Sequence, residues 1–476
     1  MAFDGATRDM GQTVIDGFYQ SLLAQEDPLL AVKAGLVGQD VMVEGPNGPH
    51  KMIYADYVAS GRAVTQVEEF IMTKVLPYYG NTHTETSYTG RYMSGLREAA
   101  RRQIGVLCNA PEDTYAVIFA GSGATTGLNQ LVHLWGVADA ARAGEDPLVI
   151  VGPYEHHSNL LAWRESGAEV VEIHQSPAGG PSLSHLQSVV EAAQHRPIFA
   201  AFSAMANVTG LCTDPRPVTR IIKDAGGKIV WDFAGGGPYI DVDMTPEKDV
   251  AFDAVVLSPH KYVGGPGASG VLIVKRESVV ATTPARPGGG TVRFVNAKTH
   301  DYVTRLEGRE EGGTPNVIGD IRACLALLVK AAIGVDRIKA RHAALAARAF
   351  EVWGDVPALY ILDPKKTTRV PILSFTVQTA DEVFDYQSFT RDLSDLYGIQ
   401  ARGGCSCAGP YVHHLLAIDD GQSERLRQEL AAGDDRHKPG FVRLNLSYLA
   451  ADAEVEYILQ SVAELAQAYC ALHTKA

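Results

Sequence analysis

Leu257-Ser258-Pro259-His260-Lys261-Tyr262-Val263-Gly264-Gly265-Pro266-Gly267 decides how the rest of this chain is read. An apolar run, Ala254 to Leu257, stops at Ser-Pro-His-Lys. A glycine-rich turn follows, and a second apolar run spans Val271 to Val274. The pattern predicts strand, loop, strand, with Lys261 at the end of a buried strand. An ammonium in such a place is solvated, paired or chemically used, because an isolated buried charge is costly. Such surroundings depress a lysine's pKa and leave an amine able to form Schiff bases. Read alone, Lys261 is more simply a solvated loop lysine, as most lysines are.

Its neighbourhood changes that reading. Twenty-nine residues upstream, Ile229-Val230-Trp231-Asp232 is another short apolar run, and it ends in an acid. A strand-end Asp and a strand-end Lys suit pyridoxal 5'-phosphate. The lysine holds the aldehyde carbon, and the carboxylate pairs with the ring nitrogen and keeps the ring an electron sink. With Ser258-Pro259-His260 before its lysine, the chain resembles the fold-type-I, class V aminotransferase family. More narrowly it resembles the cysteine desulfurase and selenocysteine lyase branch, whose lysine also follows a Ser-x-His. The resemblance implies an α/β fold: a large domain with a mainly parallel sheet flanked by helices, and a small α+β C-terminal domain. It also implies pyridoxal phosphate as cofactor, with Ser258, His260 and Lys261 among the residues that bind it.

Composition agrees with a globular enzyme. The chain has 476 residues, 46% hydrophobic and 20% charged, enough for a large core and about two to three domains. Its net charge of −13 argues against nucleic acid or an anionic membrane as partner. Met1 to Gly11 has neither a basic nor an apolar segment of the signal-peptide kind, and no run of 18 apolar residues occurs. Of the six cysteines, Cys108, Cys212, Cys324 and Cys470 are scattered singly, which fits reduced thiols in a cytoplasmic protein.

Taken in order, the chain supplies the other pieces. Val14, Phe18, Leu22 and Leu23 give a helical pattern in an N-terminal arm. Met52 to Gly61 reads as a short strand running into small residues, which let a backbone approach a ligand. Its Tyr-x-Asp resembles a family motif near the active site. Asn81-Thr82-His83 sits in a polar loop. Tyr115 to Phe119 is a strand, followed by Gly121-Ser122-Gly123-Ala124-Thr125-Thr126-Gly127 and a helix. A strand, a glycine turn and a helix N-terminus make an anion cradle. By resemblance this is the phosphate loop, with Ala124 and Thr125 at the phosphate. The dinucleotide fingerprint is not matched.

Leu148 to Val151 leads into Tyr154-Glu155-His156-His157-Ser158-Asn159. By resemblance His156 stacks on the cofactor ring, and an imidazole there can carry protons near neutral pH. Asn207, in Asn207-Val208-Thr209-Gly210, falls where the family places an asparagine near the ring oxygen and the substrate carboxylate. After Asp232 the chain has Gly235 where many relatives carry a hydrogen-bonding residue, so one expected contact is missing. Two glycine loops follow, Pro287 to Thr291 and Glu311 to Asn316. By resemblance Thr314 reaches across a dimer interface to the partner's phosphate, which implies a homodimer. Alternating strands and helices from about 63 to 320 imply the parallel sheet. A helical stretch from Ile318 to Trp353 leads into the small domain. The expected division is 1–62 as an N-terminal arm belonging to the small domain, 63–325 as the cofactor domain and 326–476 as the small domain.

Arg402-Gly403-Gly404-Cys405-Ser406-Cys407 resembles the desulfurase pattern Arg-x-Gly-x-x-Cys. Arg402 falls on the arginine that grips the substrate α-carboxylate, a bidentate task suited to guanidinium. Arg443 resembles a second arginine near the substrate. Cys407 falls on the sulfur-accepting cysteine. Cys405 is additional, although some relatives related to molybdenum-cofactor sulfuration also have Cys-x-Cys. If the loop is extended, the two cysteines share a face. Zinc on Cys405, Cys407, His413 and His414 is the competing reading, but that spacing matches no closed structural site, and no metal is expected. The implied activity is conversion of L-cysteine to L-alanine, with Lys261, His156 and Cys407 catalytic and an acceptor protein for the sulfur. A C–S or C–Se β-lyase, an aminotransferase or a regulatory protein on the same scaffold are the alternatives.

Overall fold

Seven of the short apolar runs assemble into one sheet, in the spatial order β1-β7-β6-β5-β4-β2-β3. The strands are β1 (Tyr115–Phe119), β2 (Leu148–Val151), β3 (Glu169–Glu172), β4 (Ile198–Ser203), β5 (Lys228–Asp232), β6 (Ala254–Leu257) and β7 (Val271–Lys275). Strands β2 to β6 run parallel, and β7 is antiparallel to both β6 and β1. The computed structural model describes residues 5–473 apart from 83, 194, 365–367, 379–383 and 436–437, so His83 lies outside the described residues.

The central strands are buried on both faces, which is why they read as unbroken apolar runs and not as alternating ones. Alternation survives in which core each residue joins. Val117, Trp231, Val255 and Ile273 face one core, and Ile118, Val230, Val256 and Leu272 face the other. The first face is covered by α1 (Gly5–Leu23), α2 (Tyr88–Leu107) and α4 (Val317–Ile333), and α3 (Ala124–Leu134) packs on the second. Edge strand β3 is partly exposed, with a glutamate at each end, which blunts edge-to-edge pairing.

A second core surrounds a four-stranded antiparallel sheet of β8 (Leu359–Ile361), β9 (Ile372–Val377), β10 (Arg402–Gly404) and β11 (Phe441–Asn445), in the order β8-β9-β11-β10. Helices α5 (Val335–Gly354), α6 (Tyr386–Tyr397) and α7 (Asp452–His473) pack on it. The helical stretch expected over 318–353 is two helices, broken at Gly334 with φ 88°, a conformation glycine adopts without steric cost. Helix α5 starts in the larger core at Ile338 and ends in the smaller one at Leu345, Ala349 and Trp353.

The N-terminal segment 1–62, expected to go with the small domain, is divided between the two cores. Ile15, Phe18 and Leu22 of α1 enter the larger core, with Phe18 edge-on to Phe70 at 5.2 Å. Ile53 and Ala55 enter the smaller one, because Ile53–Tyr54 pairs in parallel with Ile399–Gln400. The segment therefore passes beside the junction of the cores, and Asp56 lies there.

Candidate active site

Loops after β4, β5 and β6 surround a cavity of about 280 Å³ at the carboxyl ends of the parallel strands. Open α/β sheets bind ligands at that end. Ala124, Thr125, His156, Asn207, Asp232, Ser258, His260 and Lys261, expected to act together, all line it. Thr314 does not. It is exposed in the turn before α4, and that turn is joined to the other glycine loop by the Gly313 N–H, which donates to Gly289 O at 2.7 Å.

Lys261 ends a short turn, Pro259–Lys261, that directly follows β6. Burial pushes its amine below the usual lysine range, against the pull of Asp232. Asp232 closes β5 and is 5% exposed. It accepts one hydrogen bond, from Ala234 N at 2.7 Å, and makes no ion pair among the described residues. Burial raises its pKa, with Lys261 opposing. A carboxyl in that state suits a cationic group not supplied by the chain.

Helix α3 begins at the cavity wall. Its cap, Gly123, has φ 139°, and a Cβ there would stand 3.0 Å from His260 Cε1 and 3.1 Å from Ser258 Oγ. Only glycine brings the helix this close. Ala124 N donates to Ser258 Oγ at 3.1 Å, and the Thr125 and Ser158 hydroxyls are 2.7 Å apart. Helix N–H groups and hydroxyls at one point form an anion site.

His156 Nδ1 accepts the Ser158 backbone N–H at 3.1 Å, so the neutral ring carries its proton on Nε2. Burial, then Lys261, His157 and Arg443, lower its pKa to about 4. Behind it, Glu155 is buried and accepts from the Ser203 N–H at 2.8 Å and the Ser203 hydroxyl at 2.7 Å. Burial pushes that carboxyl up to about 8. At Gly235 a Cβ would stand 3.1 Å from Met205 Cε. The Met205 thioether thus occupies part of the room a longer side chain would need.

The two arginines meet on one acid. Arg402 and Arg443 are paired across β10 and β11. Arg402 Nε donates to Asp56 Oδ2 at 2.9 Å and Arg443 Nη2 to Asp56 Oδ1 at 3.1 Å. Arg443 is 3% exposed and also donates to Asn207 O at 3.1 Å. The Arg402 side chain is 51% exposed, and its two terminal nitrogens have no hydrogen-bond partner among the described residues. The shared role of Asp56 was not evident from the sequence, where it stood only as part of a motif.

The sulfur loop is not extended. Ser406 and Cys407 have φ 52° and 54°, and Ala408 N reaches Cys405 O at 3.4 Å, which makes a tight turn. Cys405 and Cys407 therefore do not share a strand face. Cys405 is half-buried against the apolar group around Tyr154, Tyr411 and Phe441, whereas Cys407 is exposed and contributes to the field at Lys261. Asn207 Nδ2 donates to Ser406 O at 2.7 Å, and His157 holds the loop through its backbone and Nε2. Asn207 Oδ1, buried beside the cavity, has no partner among the described residues. His413 and His414 sit on the following helix, Gly409–Leu415, and no cluster of three metal-binding side chains forms among the described residues.

The arrangement can hold an anionic group at α3, a carbonyl compound at Lys261 and a cationic ring at Asp232. A cysteine desulfurase from Enterobacter sp. (strain 638) is 27% identical over 365 residues, covering 76% of this chain and 85% of that protein. A cysteine desulfurase from Escherichia coli O7:K1 is 27% identical over 369 residues, covering 76% and 85%. Among solved structures, an apo cysteine desulfurase from Thermococcus onnurineus NA1 matches with a TM-score of 0.72 at 22% identity, covering 88% of this chain and 95% of that one. The Escherichia coli cysteine desulfurase CsdA matches at 0.70 and 24%, with the same coverages. These structural likenesses show the pyridoxal-phosphate fold type I. The family model described as Aminotransferase class-V matches residues 53–458, and the chain belongs to that family.

Proposed function

We propose that this chain is a pyridoxal-phosphate-dependent cysteine desulfurase that converts L-cysteine to L-alanine and keeps the sulfur on Cys407. The observation that carries the reading is the cavity wall shared by Lys261, Asp232, His156 and the α3 N-terminus, with Cys407 fastened beside it through Asn207 and His157. Pyridoxal phosphate bound here supplies a carbonyl that condenses with amines and a ring that withdraws electrons from the α-carbon. Ala124, Thr125, Ser258 and His260 hold its phosphate, and Asp232 holds the proton of its ring nitrogen.

Lys261 Nζ, uncharged more readily than an exposed lysine, would hold the cofactor at rest and, once free of it, would take the substrate α-proton. The free fork of Arg402 grips the substrate carboxylate, and buried Arg443 supports it from behind. Asn207 orients the bound groups. The Cys407 thiolate attacks the substrate sulfur: an S–S bond forms and the Cβ–S bond breaks. The electron pair of the broken bond stays on Cβ, which takes a proton through His156 Nε2 to become the alanine methyl group, and Lys261 returns the α-proton to Cα. His156, neutral above about pH 4, can accept and release that proton.

The active unit in this reading is a homodimer. Exposed Met72, Leu76, Tyr79 and Tyr88 give it an apolar surface, and exposed Thr314 reaches the partner's phosphate. A sulfur-acceptor protein takes the persulfide sulfur. Cys108, Cys212, Cys324, Cys405 and Cys407 form no disulfide among the described residues, which supports a reducing, cytoplasmic setting. No helix among the described residues is long and apolar enough to cross a membrane.

Incubating the purified holoenzyme with L-cysteine tests the reading. Alanine in step with sulfide or persulfide is expected, and none from Lys261→Ala. Pyruvate as the product would assign a β-lyase instead.

A further inference from the structure

The cavity wall beside Asp232 is almost bare backbone. Ala234 and Gly235 line it, and Gly236 and Gly237 continue the turn that leads to Ile240. The same turn supplies the Ala234 N–H, the hydrogen bond that Asp232 accepts. Inside the turn, Gly237 N donates to Phe233 O at 2.6 Å, and Tyr239 N and Ile240 N donate to Gly236 O at 2.8 and 3.0 Å. Three successive glycines carry no side chain that could anchor them, and they leave the backbone its widest choice of conformation. Gly237 has to be glycine, because a Cβ there would overlap the Tyr262 hydroxyl.

Lys330 holds this turn. It lies in the last turn of α4, 9% exposed, and its Nζ donates to Gly237 O at 2.7 Å and to Ile240 O. Among the described residues no other side chain hydrogen-bonds to a carbonyl of residues 233–240. The ammonium also stands 5.8 Å from the centre of the Tyr262 ring, and Tyr262, the residue after Lys261, is 1% exposed. One buried cation thus joins the turn that starts at Asp232 to the turn that ends at Lys261. Burial lowers the Lys330 pKa to about 8, with Cys108 and Asp241 opposing and Lys339 adding to it, so the group is charged at neutral pH. A buried ammonium is costly unless it is bonded, and two carbonyls and a ring face offset that cost here. We propose that Lys330 is a positioning residue of the active site: it fixes the glycine turn and Tyr262, and through them the placement of Asp232 relative to Lys261. The inference rests on the cavity being the cofactor site, as in the proposed function, but not on desulfuration itself.

Lys330→Met keeps the length of the side chain and removes its donors and charge. Circular dichroism in the visible band of the holoenzyme, scaled to the cofactor bound, reads how firmly the ring is held in one orientation. The variant is expected to lose amplitude there and to lose kcat by about tenfold with KM unchanged, since a misplacement on the order of 1 Å can cost up to about a hundredfold. Gly235→Ala restricts the same turn by other means, and its Cβ meets only the movable Met205 Cε closely, at 3.1 Å. In a double-mutant cycle the losses caused by Lys330→Met should therefore be smaller in the Gly235→Ala background. Equal losses in both backgrounds overturn the proposal. So does a folded Lys330→Met with the dichroism and kcat of the wild type, because a merely structural lysine moves only the denaturation midpoint. The wild type decides the matter where Lys330→Met does not fold: its Gly237, Tyr239 and Ile240 amides should exchange hydrogen as slowly as those of β5, and rapid exchange there shows a turn that Lys330 does not hold. An enzyme that binds the cofactor but makes no alanine from cysteine would sink the desulfurase reading, and the dichroism and the exchange would still decide this one.

Discussion

The backbone N–H of His157 donates to the carbonyl of Cys407 at 2.8 Å, so the loop carrying His156 and the loop carrying Cys407 are tied directly together. The imidazole of the same residue adds a second tie, for its Nε2 accepts the Gly409 N–H at 2.9 Å. Burial lowers the pKa of His157, which keeps that nitrogen an acceptor. His157→Ala retains the backbone bond and loses the side-chain one. We expect a cost of about 1–2 kcal/mol in stability and slower persulfide formation in single-turnover measurements, with cofactor content unchanged. Unaltered single-turnover rates would show that the second tie has no part in placing Cys407.

Glu311 anchors the turn that presents Thr314. It pairs with Arg97 and Arg101 at 2.6 Å each and accepts the Phe119 N–H at 2.7 Å, at the end of β1 beside the phosphate loop. Burial pushes its pKa up, but Arg101 and Arg97 more than offset this and keep it below the usual carboxylate range. Glu311→Ala leaves two buried guanidinium groups without their shared partner. A loss on the order of 3–5 kcal/mol is expected in urea denaturation, accompanied by weaker cofactor retention. A change under about 1 kcal/mol would mean that Asp320, already paired with Arg97, and Glu98, already paired with Arg101, hold the two guanidinium groups without Glu311.

How much of this was legible in the sequence depends on how each feature is encoded. Parallel strands covered on both faces appear as apolar runs, so Ala254 to Leu257 and Leu148 to Val151 were readable to the residue. Residues at or just past the ends of such strands, such as Asp232, Ser258 and Lys261, had to converge, because strand ends in one parallel sheet lie side by side. Asp56 was another matter. Its partners lie 346 and 387 residues away, and no local pattern announces that a two-residue strand pairing will bring it between them. The sulfur loop misled for a related reason. Ser and Cys give no sign of a left-handed turn, since the conformation is imposed by hydrogen bonds from Asn207 and His157. Gly334 was the reverse, a legible helix breaker inside an apolar pattern that reads straight through it.

His342 offers a test by pH. It is 2% exposed, packed against Tyr239 at 5.2 Å and Tyr448 at 5.6 Å, and burial lowers its pKa to about 3. Below the ordinary histidine pKa of about 6.5 the unfolded chain binds a proton that the folded one refuses. Its contribution is therefore intact above about pH 6.5 and is lost as pH falls toward 3, by about 1.4 kcal/mol per pH unit. His342→Leu removes this one proton from the balance. Denaturation midpoints measured from pH 7.5 down to 4.5 should fall less steeply for the variant than for the wild type. Parallel slopes would show that the folded protein accepts the proton.

Cys407 and Cys405 compete for the role of sulfur acceptor, and the turn between them separates their surroundings. Cys407 is exposed and close enough for its charge to act on Lys261, while Cys405 is half-buried in an apolar group with Tyr154 and Tyr411. A left-handed conformation costs a residue other than glycine roughly 1–2 kcal/mol, and both Ser406 and Cys407 adopt it. The Asn207 and His157 hydrogen bonds offset that strain, so the sulfur is held outward and is not free to swap with its neighbour. A thiolate is needed for attack, and it must reach the substrate at the cavity. Cys407→Ser should abolish alanine formation from L-cysteine and leave cofactor binding intact, whereas Cys405→Ser should keep the first sulfur transfer. Mass spectrometry of the wild type after one turnover should find the persulfide on Cys407. Label appearing first on Cys405, with Cys407→Ser fully active, would reverse the assignment, and it would require the turn to open during the reaction.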